Sequence, residues 1–140
     1  MKSVFTILSL ALALTAAANA HAEEARLTLK VDVGTPSGTV QVAVYDSEDA
    51  YEHGNPVRVA NIDVAHGQSE VVFEGLTSGD YGIKAFHDVN GNGRMDTNPF
   101  GLPVEPYAFS NNAVGNMGPA KWDRAQFAVS GQTDHQLTLR

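Results

Sequence analysis

The 140-residue chain has no cysteine, so no disulfide can staple it and no thiolate can act as nucleophile or soft metal ligand. Basic residues are scarce as well: 9 Lys and Arg stand against 16 Asp and Glu, a net charge of −7 with neutral histidines. A chain this acidic is a poor partner for nucleic-acid phosphates or anionic lipid, and a reasonable one for cations. No G-x-S-x-G elbow occurs, and no H-x-H or H-x-x-x-H pair. The sequence signs of a serine hydrolase and of a zinc or copper centre are therefore missing. No long amphipathic helix can be traced, and no segment beyond the first residues is apolar enough for a membrane span of roughly 20 residues.

What is present begins with a targeting segment. Met1-Lys2 gives a positive start, Val4 to Ala18 is apolar, and Ala18-Asn19-Ala20 and Ala20-His21-Ala22 are both A-x-A cleavage sites. This pattern predicts a secretory signal peptide over residues 1–22, with cleavage after Ala22 preferred to Ala20. No cysteine follows it, so lipid attachment there is excluded. The protein is expected to be exported, to a periplasm or to the outside, as a single domain of residues 23–140. Loss of Lys2 takes its charge to about −8.

Period-two alternation dominates that domain. Leu27, Leu29, Val31 and Val33 alternate with polar residues, as do Val40, Val42 and Val44. One face of each strand therefore meets a core and the other meets water. Ser47 to Pro56 is polar and holds at most one helical turn, with Ser47 as N-cap. Val57 to Val64 reads as a strand whose core face the alternation leaves open. Val71 to Leu76 follows, then Tyr81, Ile83, Ala85 and His87 on one face of another strand. Thr97 to Trp122 is a long connection rich in Gly, Pro and Asn. A strand from Arg124 to Ser130 and a last one through His135, Leu137 and Leu139 complete the chain. About seven short strands with turn signals every 8–12 residues predict an all-β fold: one Ig-like or prealbumin-like antiparallel β-sandwich. Long loops without structure of their own are often functional, which draws attention to residues 97–122.

One segment names a chemistry. Asp88-Val89-Asn90-Gly91-Asn92-Gly93-Arg94-Met95-Asp96 places oxygen side chains at alternate positions, with Gly93 where a tight loop needs positive φ. That is the ligand order of a calcium loop. Asp88, Asn90, Asn92 and Asp96 would give side-chain oxygens and Arg94 a backbone carbonyl. The twelfth position is Pro99 rather than a bidentate Glu, so the loop is not an EF-hand. Two of the four side chains are neutral amides, which points to affinity in the 10⁻⁴–10⁻³ M range of extracellular modules. Glu105 could close the shell from the long loop. The alternative is a tight hairpin without an ion, because Asn-Gly pairs form turns readily.

Other candidates lie along the long connection. Phe100, Tyr107, Phe109 and Trp122 could stack on a sugar or dock a partner, or could anchor the loop on the sandwich. Asn111 and Asn112 suit turns or a polar ligand. Asp88, Asp96 and Glu105 could pair for glycoside chemistry, but acids in an acidic chain are weak evidence, and no enzyme is expected. A calcium-stabilised ligand-binding or interaction module is the leading reading. A carbohydrate-binding module and a structural envelope protein are the rivals. Its partner would be a polysaccharide or an envelope protein, not nucleic acid.

Gly75-Leu76, Gly79 and Tyr81, then Ala85-Phe86-His87-Asp88-Val89-Asn90-Gly91-Asn92-Gly93 and Met95-Asp96-Thr97-Asn98, resemble a bacterial domain-of-unknown-function family numbered 2141. The likeness runs on through Phe100-Gly101-Leu102-Pro103, Glu105 to Asn112 and Gly118-Pro119 to Phe127. It implies an exported β-domain and brings no activity. More distantly, Leu76, Gly79 and Tyr81 are similar to the turn before a strand in prealbumin-like and B-repeat surface modules. Some of those modules hold calcium in a loop at that strand's end. This is likeness of fold only.

Overall fold

The computed structural model describes residues 23–140, and the expected signal peptide lies outside them. Eight strands in two packed sheets make an all-β sandwich. In the first sheet β1 (Glu24–Asp32) lies between β4 (Glu70–Thr77) and β8 (Gln132–Thr138). The second runs β3 (Arg58–Ile62), β2 (Thr39–Tyr45), β5 (Gly79–Asp88), β6 (Tyr107–Phe109), and β7 (Phe127–Val129) pairs with the start of β5.

The alternating apolar positions meet between the sheets. Leu27, Leu29, Val40, Val44, Ile62, Ile83 and Leu137 are all fully buried there. Each such side chain contributes about 1.5–3 kcal/mol by leaving water. Register settles the face of β3 that alternation left open. Ile62 and Ala60 pair with Val40 and Val42, so they turn inward, and Val59 stands 71% exposed.

Three expectations need correction. The sandwich is not wholly antiparallel, because β1 and β8 run parallel. β7 belongs to the second sheet, and the chain crosses at Gly131, whose carbonyl accepts from the Arg26 N–H at 2.7 Å. Arriving beside the start of β1, β8 can only run with it. The connection from 97 to 122 is not structureless. It holds a hairpin closed by a bridge between Thr97 and Pro103, then β6, and a 3-10 turn at Ser110–Asn112. Arg124 does not begin a strand; it lies in a single helical turn, α2 (Trp122–Ala125). Trp122 and Ala125 fall three residues apart on one face of that turn and are buried together.

They are buried in a second core, on the outer face of the second sheet. Tyr45, Tyr51, Trp122 and Ala125 form it. Tyr51 comes from the one-turn helix α1 (Glu48–His53), where the Ser47 hydroxyl caps the Ala50 N–H at 3.2 Å, as the sequence predicts. The rings of Tyr45 and Trp122 stand edge-on to Tyr51, with centroids 5.4 and 5.7 Å away. Gly82 is their seat: a Cβ there would lie 2.9 Å from both Trp122 Cζ3 and Tyr51 Cδ2. Ser110 locks the layer down. Its hydroxyl accepts from the Ile83 N–H at 2.8 Å and donates to the Ala125 carbonyl, joining β5 to α2. Among the described residues no helix is long and apolar enough to cross a membrane.

Candidate functional site

β5 delivers Asp88 to the end of the second sheet, where the turn begins. Its carboxylate is buried, 2% exposed, and fully engaged. Oδ1 accepts the N–H groups of Gly91 (2.9 Å) and Asn92 (3.1 Å). Oδ2 accepts the N–H of Gly93 (2.7 Å) and the Gln41 amide (3.4 Å). Positive φ at Gly91 (74°) and Gly93 (81°) aims those N–H groups inward. Bonds from backbone N–H to a carboxylate are stronger than neutral ones, so Asp88 organises the loop.

The remaining ligand-type side chains converge on one another. Asn90 Oδ1 accepts from the Asn92 N–H, and Asn92 Oδ1 from the Arg94 N–H, at 3.1 and 3.0 Å. Their amide nitrogens both donate to Asp96, at 2.5 and 2.8 Å. Those bonds, from Asn90 first and then Asn92, hold the Asp96 carboxyl below the usual carboxylate range. Glu105 does reach the loop, but it grips backbone. Oε1 accepts the Val89 N–H at 3.0 Å and Oε2 the Asp96 N–H at 3.1 Å, so one buried carboxylate clamps both ends of the turn.

Among the described residues no three His, Cys, Asp or Glu side chains gather around a point where they could share an ion. An ion at this loop would rest on Asn90, Asn92, Asp96 and a carbonyl such as that of Arg94. The donor set suits a hard cation, since each amide oxygen keeps a second lone pair. The two –NH₂ groups stabilise the charged Asp96 carboxylate by hydrogen bonding. Turning the amides over would face oxygens inward and cost the Asn92 and Arg94 N–H bonds. An ion would have to offset that loss, which would keep its affinity low.

Beyond the loop, the outer face of β5 carries Gly82, Lys84, Phe86 and Asp88. α1 and α2 cover only its Gly82 end. At the other end Phe86 pairs with Tyr107 and Lys84 with Phe109 across to β6. Met95 and the hairpin residues Gly101, Leu102 and Pro103 form one wall, and Met117, Gly118 and Pro119 the other. They enclose an open groove of about 770 Å³, within the size range of small-molecule sites. Its rim is apolar and wet: Met117 is fully exposed, Leu102 61% exposed, and Phe100 stands 88% exposed at the hairpin tip beside it. At the inner end Lys84 Nζ donates to the Tyr51 carbonyl at 2.6 Å and lies 4.1 Å from the centre of the Tyr51 ring. Burial lowers the pKa of this ammonium below the usual lysine value, against a weaker opposing pull from Glu52. A smaller cavity of about 310 Å³ lies on the far side of β6, between Asn112, Val114 and Arg140.

The sequence candidates therefore separate. Tyr107 and Phe109 line the groove and Phe100 flanks it. Trp122 is buried against Tyr51, so it shares no exposed platform with Tyr107. Glu105 is used up by the turn. The Asn111 amide donates to the Arg124 and Gln126 carbonyls, and the Asn112 oxygen accepts from the Thr138 N–H, so both are structural. Sequence reasoning missed Lys84, Phe86, Met95 and Met117. Phe86 was the available signal, an aromatic on the strand face that alternation assigns to water.

No curated protein and no solved structure matches the chain, so the likeness to prealbumin-like modules gains no support. A family model does match. Residues 31–137 fit the family described as "Uncharacterized protein conserved in bacteria (DUF2141)". That span contains both the Asp88 loop and the groove, and the protein belongs to this family.

Proposed function

We propose that this protein is an exported module that binds an apolar ligand on the open half of its second sheet, with a calcium-responsive turn setting one wall. The groove carries the reading. Apolar side chains stand exposed there in a contiguous patch, and such patches mark binding surfaces. The Asp88 turn supports it, since Asp88 and Glu105 fix where the chain leaves β5 and where the 96–104 hairpin starts. Binding is favoured over catalysis because both carboxylates accept backbone N–H bonds with both oxygens and face no open site. The A-x-A sites at Ala20 and Ala22 support export.

Two measurements test the two parts. The neutral dye Nile red should bind the folded protein, and Phe86→Asp should abolish the signal; no dye binding removes the groove. Thermal melts in chelator and in about 10 mM calcium, with magnesium as control, test the turn. A site of about 1 mM affinity raises the melting temperature by roughly 3–6 °C. Asn92→Ala/Asp96→Ala should remove the rise. Asp88→Ala should instead cost about 3 kcal/mol with or without calcium, because three backbone N–H groups of the turn lose their charged acceptor. No calcium-specific rise reduces the loop to a tight hairpin.

A further inference from the structure

We infer that the groove takes an anionic amphiphile, a free long-chain carboxylate whose head group meets Lys84 and whose chain lies along the methionine-lined walls. The inference rests on the groove reading above and names the ligand class. Lys84 is the one charged residue among the twelve that line the groove. It is half-buried and makes no ion pair with any described residue, in a chain carrying 16 acidic side chains. Of its three N–H donors, one is spent on the Tyr51 carbonyl. Glu52 pulls on the ammonium from beyond ion-pair distance and the Tyr51 ring lies against it, but burial still outweighs both, and an incoming carboxylate would relieve that cost.

The rest of the lining selects against polar ligands. Apart from Lys84, the Tyr107 hydroxyl is the only polar side-chain group it offers. A sugar or a nucleotide would bury hydroxyls or phosphates without partners. An alkyl chain needs none, and Met95 and Met117 are flexible enough to fit it. The net charge of −7 opposes docking on an anionic bilayer, so the occupant is a single amphiphile rather than a membrane surface.

The test displaces Nile red with dodecanoate, dodecanol and dodecylamine, each below its micelle concentration, and adds phosphatidylglycerol vesicles in a separate arm. Dodecanoate should bind about tenfold tighter than dodecanol, and dodecylamine weakest. Shortening the acid should weaken it about fourfold per methylene. Lys84→Met should erase the preference for acid over alcohol while dodecanol binds as before. Lys84→Arg should keep it, which guards against a folding defect in the first variant. Equal affinity for acid and alcohol in the natural chain overturns the inference and leaves the groove. Nile red binding that none of the three displaces also overturns it, and absent Nile red binding removes the groove itself. Binding to vesicles without binding to dodecanoate replaces the free carboxylate with a lipid surface.

Discussion

The outer face of the second sheet is closed at one end and open at the other, although the same strands build both. At the closed end the sheet offers Ala43 and Gly82 beside the single ring of Tyr45, and Tyr51 and Trp122 descend from α1 and α2 to fill the space. At the open end the order is reversed. Phe86 and Tyr107 rise from the strands, and among the described residues no element lies across them. The difference teaches that apolar content alone does not make a core. A core needs surfaces that fit closely, and here Gly82 leaves the room that the Tyr51 and Trp122 rings fill. Where the sheet presents Phe86 and Tyr107 with nothing across them, it leaves the surface that the proposed ligand would cover.

The largest effect that could break this contrast is Trp122→Ala. Removing a packed indole from the closed end should cost about 3–5 kcal/mol. Phe86→Ala, the matching truncation at the open end, should cost only about 1–2 kcal/mol, because the Phe86 ring is partly rather than fully buried. Urea denaturation of both variants checks the pair. Comparable losses would mean that the open end is a core after all.

A smaller effect tests the seam that holds α2 on the sheet. His135 stacks on Phe127, with ring centres 4.0 Å apart, and its Nε2 accepts from the Asn111 N–H at 3.0 Å. Asn111 in turn grips the Arg124 and Gln126 carbonyls around the end of α2. Only a neutral imidazole accepts a hydrogen bond at that nitrogen. Burial lowers the His135 pKa from its ordinary 6.5, so the unfolded chain binds this proton more readily than the folded one. Its contribution is therefore complete above about pH 6.5 and is lost as pH falls below that value. The natural chain should lose more stability between pH 7.5 and 5.5 than His135→Gln does, since glutamine can accept the same bond without titrating. Equal pH slopes for the two proteins would remove His135 from the seam.

Much of this arrangement was legible in the sequence. Alternation located the main core because one face of β1, β2 and β5 is buried and the other mostly is not. Ser47 declared its cap, and the Asp88 spacing declared a loop with Gly93 at positive φ, to which the structure adds Gly91. The second core was not legible, because nothing local in Gly82 or Trp122 says that they meet; their contact depends on α2 folding back across β5. For the same reason Trp122 stood both as a surface platform and as an anchor for the long connection, and the structure makes it the anchor. Glu105 was a candidate to close the loop's ligand shell, but no spacing brings it there, and its role as a clamp depends on the path of the hairpin between. Lys84 and Phe86 looked like solvent residues, since period-two alternation assumes that each outer face is wet.

The smallest expected effect on stability is the sharpest test of the open end. Met117 and Phe100 make little buried contact, and Met117 holds a positive φ of 57° with its side chain entirely in water. Changing either to serine should leave the unfolding free energy within about 0.5 kcal/mol. If the open half exists to bind, Met117→Ser should still weaken Nile red several-fold, because the probe loses one wall. Phe100→Ser should weaken it less, because Phe100 flanks the groove at the hairpin tip rather than lining it. A protein that kept both its stability and its dye affinity through Met117→Ser would have an exposed methionine with no use. The apolar rim would then be a property of the fold rather than of a site.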